Sequence, residues 1–181
     1  MINYHLKTSS ELSVSEIKNI IGYWEEEEWF ALTSDEFREK FHKSEFHLLV
    51  DDNSNLLSLS RINFDFKIEL KHIRYEVCEM VGLVSMVRKK GYARHLIKEI
   101  MGNLKSRGIE CIGFCEKELR PFYEKCGVTV LYDQARYLHE KDHKPELNPD
   151  DDILVITLSA DVKERLSALN KENTGYLIFE E

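Results

Sequence analysis

No apolar run in this chain approaches the ~20 residues that a membrane-spanning helix requires. The first residues, Met1-Ile2-Asn3-Tyr4-His5-Leu6-Lys7, lack the charged start, apolar stretch and small-residue cleavage site of a secretory leader, so the expected location is cytoplasmic. No two of the four cysteines, Cys78, Cys111, Cys115 and Cys126, form a C-x-x-C pair. A disulfide frame or a cysteine-built zinc site is therefore not expected. Cys78, Cys111 and Cys115 sit in apolar, strand-like stretches and read as reduced core thiols. Basic charge is also in deficit: 25 Lys and Arg face 33 Asp and Glu, a formal net charge of −8. General nucleic-acid binding needs a basic field and is not expected. An acidic protein attracts a cationic partner instead, such as an amine. Internal repeats and low-complexity linkers are absent.

What is present suits one ordinary domain, with 181 residues of which 43% are hydrophobic. Residues 2–7 can form a strand. Ser13-Val14-Ser15-Glu16 reads as a capping box opening a helix with Ile17, Ile20 and Ile21 on one face. Thr33-Ser34-Asp35-Glu36 opens a second helix that buries Phe37 and Phe41. The period then changes to alternation. Phe46, Leu48 and Val50 mark a strand, and Asp51-Asp52-Asn53 a turn. The even positions from Ile62 to Leu70 predict one half-buried strand, and residues 73–86 another. Residues 91–106 carry the clearest helical stripe, Ala93, Leu96, Ile97, Ile100, Met101 and Leu104. A strand over 109–115, a short helix over 118–126 and strands at 128–131 and 153–158 follow. Residues 133–152 read as a loop.

Arg88-Lys89-Lys90-Gly91-Tyr92-Ala93 follows a strand and opens the best helix. The first N–H groups of a helix have no internal partner, and the dipole places partial positive charge there. A pyrophosphate can accept those bonds. Gly91 lets the backbone come close, Ala93 keeps the wall low, and Arg88, Lys89, Lys90 and Arg94 add positive charge. The same residues also fit a solvated basic helix start.

The stretch Leu83-Val84-Ser85-Met86-Val87-Arg88-Lys89-Lys90-Gly91-Tyr92-Ala93 resembles motif A of the GNAT acetyltransferases. Downstream, Phe122-Tyr123-Glu124-Lys125-Cys126-Gly127-Val128 resembles the second signature of that family. The likeness covers about residues 1–159, with Ala93 where a glycine is usual and Ser85 where a proline is common. It implies an α/β (α+β) GNAT fold, a mixed central sheet flanked by helices and splayed between its fourth and fifth strands. It implies acetyl-CoA as co-substrate and no metal. Backbone groups of Val81 and Leu83, on either side of Gly82, would hold the pantetheine arm. The turn from Arg88 through Lys89, Lys90, Gly91, Tyr92 and Ala93 to Arg94 would take the pyrophosphate. Residues 160–181 lie beyond the pattern, as an extension packing on the domain or on a partner subunit. A homodimer is left open.

Amine acetylation needs a neutral amine to attack the thioester and a proton for the leaving thiolate. Glu79 is the candidate base. It shares a strand face with Val77, Val81 and Leu83, and apolar neighbours raise a carboxylate pKa toward the range a base requires. The alternative is a partly exposed or salt-bridged strand residue. Glu76 is the fallback, on the opposite face. By resemblance, Tyr123 matches the tyrosine that GNAT enzymes place near the coenzyme sulfur, as general acid; a core aromatic is the plainer reading. Glu79-Met80-Val81-Gly82-Leu83 and Pro149-Asp150-Asp151-Asp152 are similar to the aminoglycoside 2′-N-acetyltransferases. That likeness supports Glu79 as a base acting through water, without carrying over the antibiotic substrate.

Tyr23-Trp24-Glu25-Glu26-Glu27-Glu28-Trp29-Phe30 combines acids and aromatics that would attract a cationic amine, or is a solvated charge run. His139-Glu140-Lys141-Asp142-His143 matches H-E-x-x-H, but such a zinc site needs both histidines on one face of a buried helix, and this stretch is polar with Pro145 close behind. The expected function is acetyl transfer from acetyl-CoA to a primary amine of a small, cationic molecule, without membrane or nucleic-acid partners. A peptide or protein N-acetyltransferase and a non-catalytic acyl-CoA-binding module are the alternatives.

Overall fold

The computed structural model describes residues 1–140 and 147–179. Eleven strands and five α-helices occur among them. In chain order they are β1 (Ile2–Thr8), α1 (Val14–Trp24), α2 (Ser34–Lys40), β2 (Ser44–Asp51), β3 (Leu56–Asn63), β4 (Phe66–Leu70), β5 (Ile73–Tyr75) and β6 (Val77–Ser85). Then come α3 (Tyr92–Ser106), β7 (Glu110–Cys115), α4 (Arg120–Lys125), β8 (Thr129–Leu131), β9 (Leu138–Glu140), β10 (Asp152–Thr157), α5 (Ala160–Ser167) and β11 (Gly175–Phe179). The chain divides into two compact units. One holds Met1–Asn63 and Val81–Ile100, the other Phe64–Met80 and Met101–Glu181.

In the first unit β1, β2 and β3 form an antiparallel ladder, Ile2 opposite Asp51 and Ser44 opposite Asn63, with β6 next to β3. Both predicted capping boxes form. Glu16 N donates to Ser13 Oγ at 3.2 Å and Ser13 N to Glu16 Oε2 at 2.8 Å. Thr33 and Glu36 repeat the arrangement. These reciprocal bonds satisfy N–H groups that the helix leaves open. Leu12, Ile17, Ile20, Phe37, Phe46, Leu48 and Leu59 are nearly or fully buried in one cluster. Each such side chain contributes about 1.5–3 kcal/mol relative to exposure.

In the second unit, Val77–Met80 of β6 pair in parallel with Glu110–Gly113 of β7. A parallel pair needs a crossover, and α3 supplies it. β10 lies antiparallel to both β7 and β8. The β6–β7 ladder ends at Met80 and Gly113, although β6 runs on to Ser85 and β7 to Cys115. This is the splay expected between the fourth and fifth strands of the sheet. A separate four-stranded sheet has the order β5-β4-β11-β9. Its β11, with Val162 and Leu166 of α5, belongs to a core cluster with Ile68, Leu70, Val77, Ile112 and Ile153.

Three sequence expectations are corrected. The alternation from Ile62 to Leu70 is two strands, because the chain leaves β3 at Asn63 and restarts in the second sheet as β4. Residues 73–86 are likewise β5 and β6, broken at Glu76. Side-chain alternation persists across such breaks, so periodicity alone does not reveal them. Within the stretch read as a loop, Leu138–Glu140 form β9, paired in parallel with β11.

Candidate active site

The first unit carries the turn from Arg88 to Arg94. β6 ends at Ser85 and α3 begins at Tyr92. Between them Lys89 and Gly91 have φ of +60° and +78°. Left-handed residues of this kind build backbone concavities that bind anions. The first bond of the helix runs from His95 N to Gly91 O at 2.9 Å. A Cβ added at Gly91 would meet nothing within 4 Å. Arg88, Lys89, Lys90 and Arg94 are exposed, while Tyr92 and Ala93 are half-buried. A recess of about 400 Å³ lies on the helix start, lined by Gly91, Arg94, His95 and Lys98. The open space at Gly91 and the cationic lining fit a polyphosphate. His95 and Lys98 were not singled out in the sequence. Gly91, Arg94, His95 and Lys98 follow the i, i+3, i+4, i+7 spacing of one helix face, the signal that marks them in the sequence.

A second cavity of about 310 Å³ opens on the last part of β6. Val81, Gly82, Leu83 and Val84 form one wall. Tyr23, Trp24, Glu26 and Trp29 form another, with Arg61 of β3 completing the lining. Trp24 and Trp29 meet edge to face at 5.4 Å, and Trp29 meets Phe41 at 5.2 Å. The stretch from Tyr23 to Phe30 is thus divided. Its two tryptophans are half-buried on the core, while Glu25, Glu26, Glu27 and Glu28 are exposed. Arg61 donates to Ser44 Oγ at 3.0 Å, and its guanidinium lies 4.8 Å from the Phe41 ring centre. Nothing local in the sequence marks Arg61, because its place depends on the β2–β3 register.

Gly82 has φ +64° inside β6. The regular alternation that puts Glu79 with Val77 and Val81 is therefore interrupted before Leu83. An isolated glycine in a strand pattern is the sequence signal for such a bulge.

The second unit carries Glu79 and Tyr123. Glu79 is half-buried and sits opposite Ile112 in the parallel ladder. It precedes Val81 by two residues on the same strand. Tyr123 is 7% exposed on α4. Burial, then the neighbouring Cys115 and Cys126, push its phenol well above the usual tyrosine value. Arg120 anchors the start of α4 by a two-pronged bond to Asp152, Nε to Oδ2 at 2.7 Å and Nη2 to Oδ1 at 2.9 Å. Asp152 is fully buried and also accepts from Asp133 N at 2.8 Å. The guanidinium stacks 3.8 Å from the Tyr132 ring centre. This clamp fixes the helix that bears Tyr123.

All four cysteines are free and buried. Burial, then Asp152 and Asp151, push the Cys115 thiol up to about 12. A thiol so held is not the thiolate that a covalent acetyl-enzyme requires. His139 and Glu140 lie on β9, a strand, so the helical face that H-E-x-x-H needs is not available there. Lys141, Asp142 and His143 lie outside the described residues.

The sequence profile of the acetyltransferase (GNAT) family matches residues 13–128. The chain belongs to the GNAT family. It is an acyltransferase, and the coarse chemistry is acetyl transfer from acetyl-CoA to an amine. No curated protein sequence gives a significant match. Among solved structures, the GNAT family N-acetyltransferase YhbS from Escherichia coli, in complex with CoA, is 13% identical with a TM-score of 0.57, covering 100% of this chain and 89% of that one. An N-acetyltransferase from Staphylococcus aureus Mu50 is 15% identical with a TM-score of 0.57, covering 85% and 96%. The spermidine/spermine N-acetyltransferase SpeG from Vibrio cholerae is 14% identical with a TM-score of 0.53, covering 85% and 92%. At these identities the likeness is one of fold. No helix among the described residues is long and apolar enough to cross a membrane.

Proposed function

We propose that this GNAT enzyme acetylates the primary amine of a small cationic molecule, with the acceptor in the cavity walled by Trp24, Trp29 and β6. The carrying observation is that cavity: aromatic faces and the rim carboxylate of Glu26 beside the backbone of Val81–Val84, with the Arg61 guanidinium in the lining engaged by Ser44 and the Phe41 ring. Aromatic faces attract cations, and an acid at the rim adds to the pull. A volume of about 310 Å³ lies at the low end for ligand pockets, which suits a small acceptor.

Acetyl-CoA lies with its pantetheine arm along Val81–Leu83 and its pyrophosphate on the turn from Arg88 to Arg94. The amine nitrogen attacks the thioester carbonyl carbon, Glu79 takes the ammonium proton through water, and the C–S bond breaks. Tyr123 gives its proton to the departing sulfur, leaving amide and free CoA. Solvent returns the proton from Glu79 to Tyr123. These roles rest on the two motifs, on the half-buried position of Glu79 and on the protonated phenol of Tyr123.

A panel of amines assayed by free thiol release tests the substrate class. Small cationic amines should turn over well above neutral and anionic ones. No turnover with any amine, with acetyl-CoA still bound, would leave an acyl-CoA-binding module.

The pH dependence tests Tyr123. Its raised pKa keeps the proton in place at every pH below the usual tyrosine value of about 10. An alkaline limb below that pH should therefore come from another group. Tyr123→Phe should lower kcat about 10²-fold at each pH while leaving the profile's shape unchanged. Loss of an alkaline limb in the variant would show that Tyr123 titrates within the working range.

A further inference from the structure

Gly82 is where β6 departs from regular strand geometry, with φ +64°. Its carbonyl accepts a hydrogen bond of 2.8 Å from Trp24 Nε1, on a residue far earlier in the chain. The indole lies so close that a Cβ at position 82 would stand 2.6 Å from Nε1 and 2.8 Å from Cε2. The indole is itself held. It ends α1 and packs at 5.4 Å on Trp29, 6.2 Å on Phe41 and 6.1 Å on Phe46, measured between ring centres. It is a donor in a fixed place.

The Gly82 carbonyl and the Leu83 N–H belong to one planar peptide unit and point in opposite directions. Holding the first therefore aims the second. Glycine is the residue most able to let that plane turn over, exchanging a donor for an acceptor. Strand N–H groups alternate between edges, and Met86 N reaches Leu57 O on β3 at 3.0 Å. Three residues earlier, the Leu83 N–H faces the edge away from β3. The flanking carbonyls are also held, Val81 O by Ser60 Oγ at 3.0 Å and Val84 O by Ser58 Oγ at 2.6 Å. Trp24 supplies the corresponding donor at the bulge itself.

We propose that Trp24 is a positioning residue for acyl transfer, its indole N–H locking the Gly82–Leu83 peptide so that the Leu83 N–H stays directed at the acyl-pantetheine arm. The inference rests on the reading of Val81–Leu83 as the cofactor strand. It separates two roles for one side chain, since the Trp24 ring also walls the acceptor cavity.

The test replaces Trp24 by its benzothienyl isostere, in which sulfur stands where the N–H was, and in parallel uses Trp24→Phe. The isostere keeps shape and packing, so it decides the matter even if the Phe variant folds poorly. The expected result is a KM and a calorimetric Kd for acetyl-CoA raised about tenfold, the size of one lost hydrogen bond. The KM of the amine and the thermal midpoint of the isostere should stay at wild-type values. Wild-type behaviour of the isostere toward acetyl-CoA would overturn the proposal and leave Trp24 as a wall only. A rise in amine KM alone would do the same and make it an acceptor contact. If wild-type protein itself fails to bind acetyl-CoA, the failure lies in the cofactor-strand reading beneath the proposal.

Discussion

Glu79→Gln is expected to lower kcat by about 10²–10⁴-fold, the usual contribution of a positioned general base. Glutamine keeps the size and hydrogen bonding of the side chain, so the parallel pairing of Val77–Met80 with Glu110–Gly113 should survive. The KM for acetyl-CoA should stay near its wild-type value. Because Glu79 takes the proton from the nitrogen once it has attacked, the loss should persist as the assay pH rises and more of the amine enters already neutral. Steady-state kinetics across pH, with thermal melts as a folding control, checks this. An unchanged rate would remove Glu79 from the mechanism and return it to the plainer reading of a half-buried strand residue. Glu76 would not replace it automatically: it falls in the break between β5 and β6 and is exposed.

Gly91→Glu should weaken acetyl-CoA binding about 10²–10³-fold, because a like charge set against a bound anion costs several kcal/mol. Two effects combine. The new carboxylate projects into the open space at the start of α3, where no protein atom lies within 4 Å of a Cβ. The backbone there has φ +78°, which costs a non-glycine residue about 1–2 kcal/mol. Gly91→Ala keeps the strain and omits the charge, so the pair separates them. Calorimetric titration with acetyl-CoA, and with CoA as control, reads the outcome. Retained affinity in Gly91→Glu would mean that the turn is only a basic helix start.

The features legible in the sequence are local ones. Capping boxes span four residues, the stripe of α3 repeats within a few turns, and the turn from Arg88 to Arg94 is contiguous. Each was placed within a residue or two. The family followed from the same contiguous motifs. The features that escaped depend on partners far along the chain. The sheet change between β3 and β4 leaves alternation intact, so Ile62 to Leu70 looked like one strand. Arg61 lines a cavity only because β3 lies beside β6. The Arg120–Asp152 clamp joins α4 to β10; Asp152 belongs to a family-like stretch, but nothing local pairs it with Arg120. Trp24 stood inside a stretch noted for charge and aromatics, but its bond to Gly82 needs the folded first unit. Gly82 did offer a clue, since glycine within a strand pattern marks a bulge.

The four-stranded sheet has a kinetic consequence. β11 lies between β4 and β9, antiparallel to one and parallel to the other. Leu70 of β4 waits for Gly175, more than half the chain away in sequence. Contacts of such high contact order close late. Until β11 arrives, β4 and β9 each present a row of unpaired backbone groups, the kind of edge that recruits strands from other chains. The same late strand therefore completes the second unit, and these edges are protected from association only once it has docked.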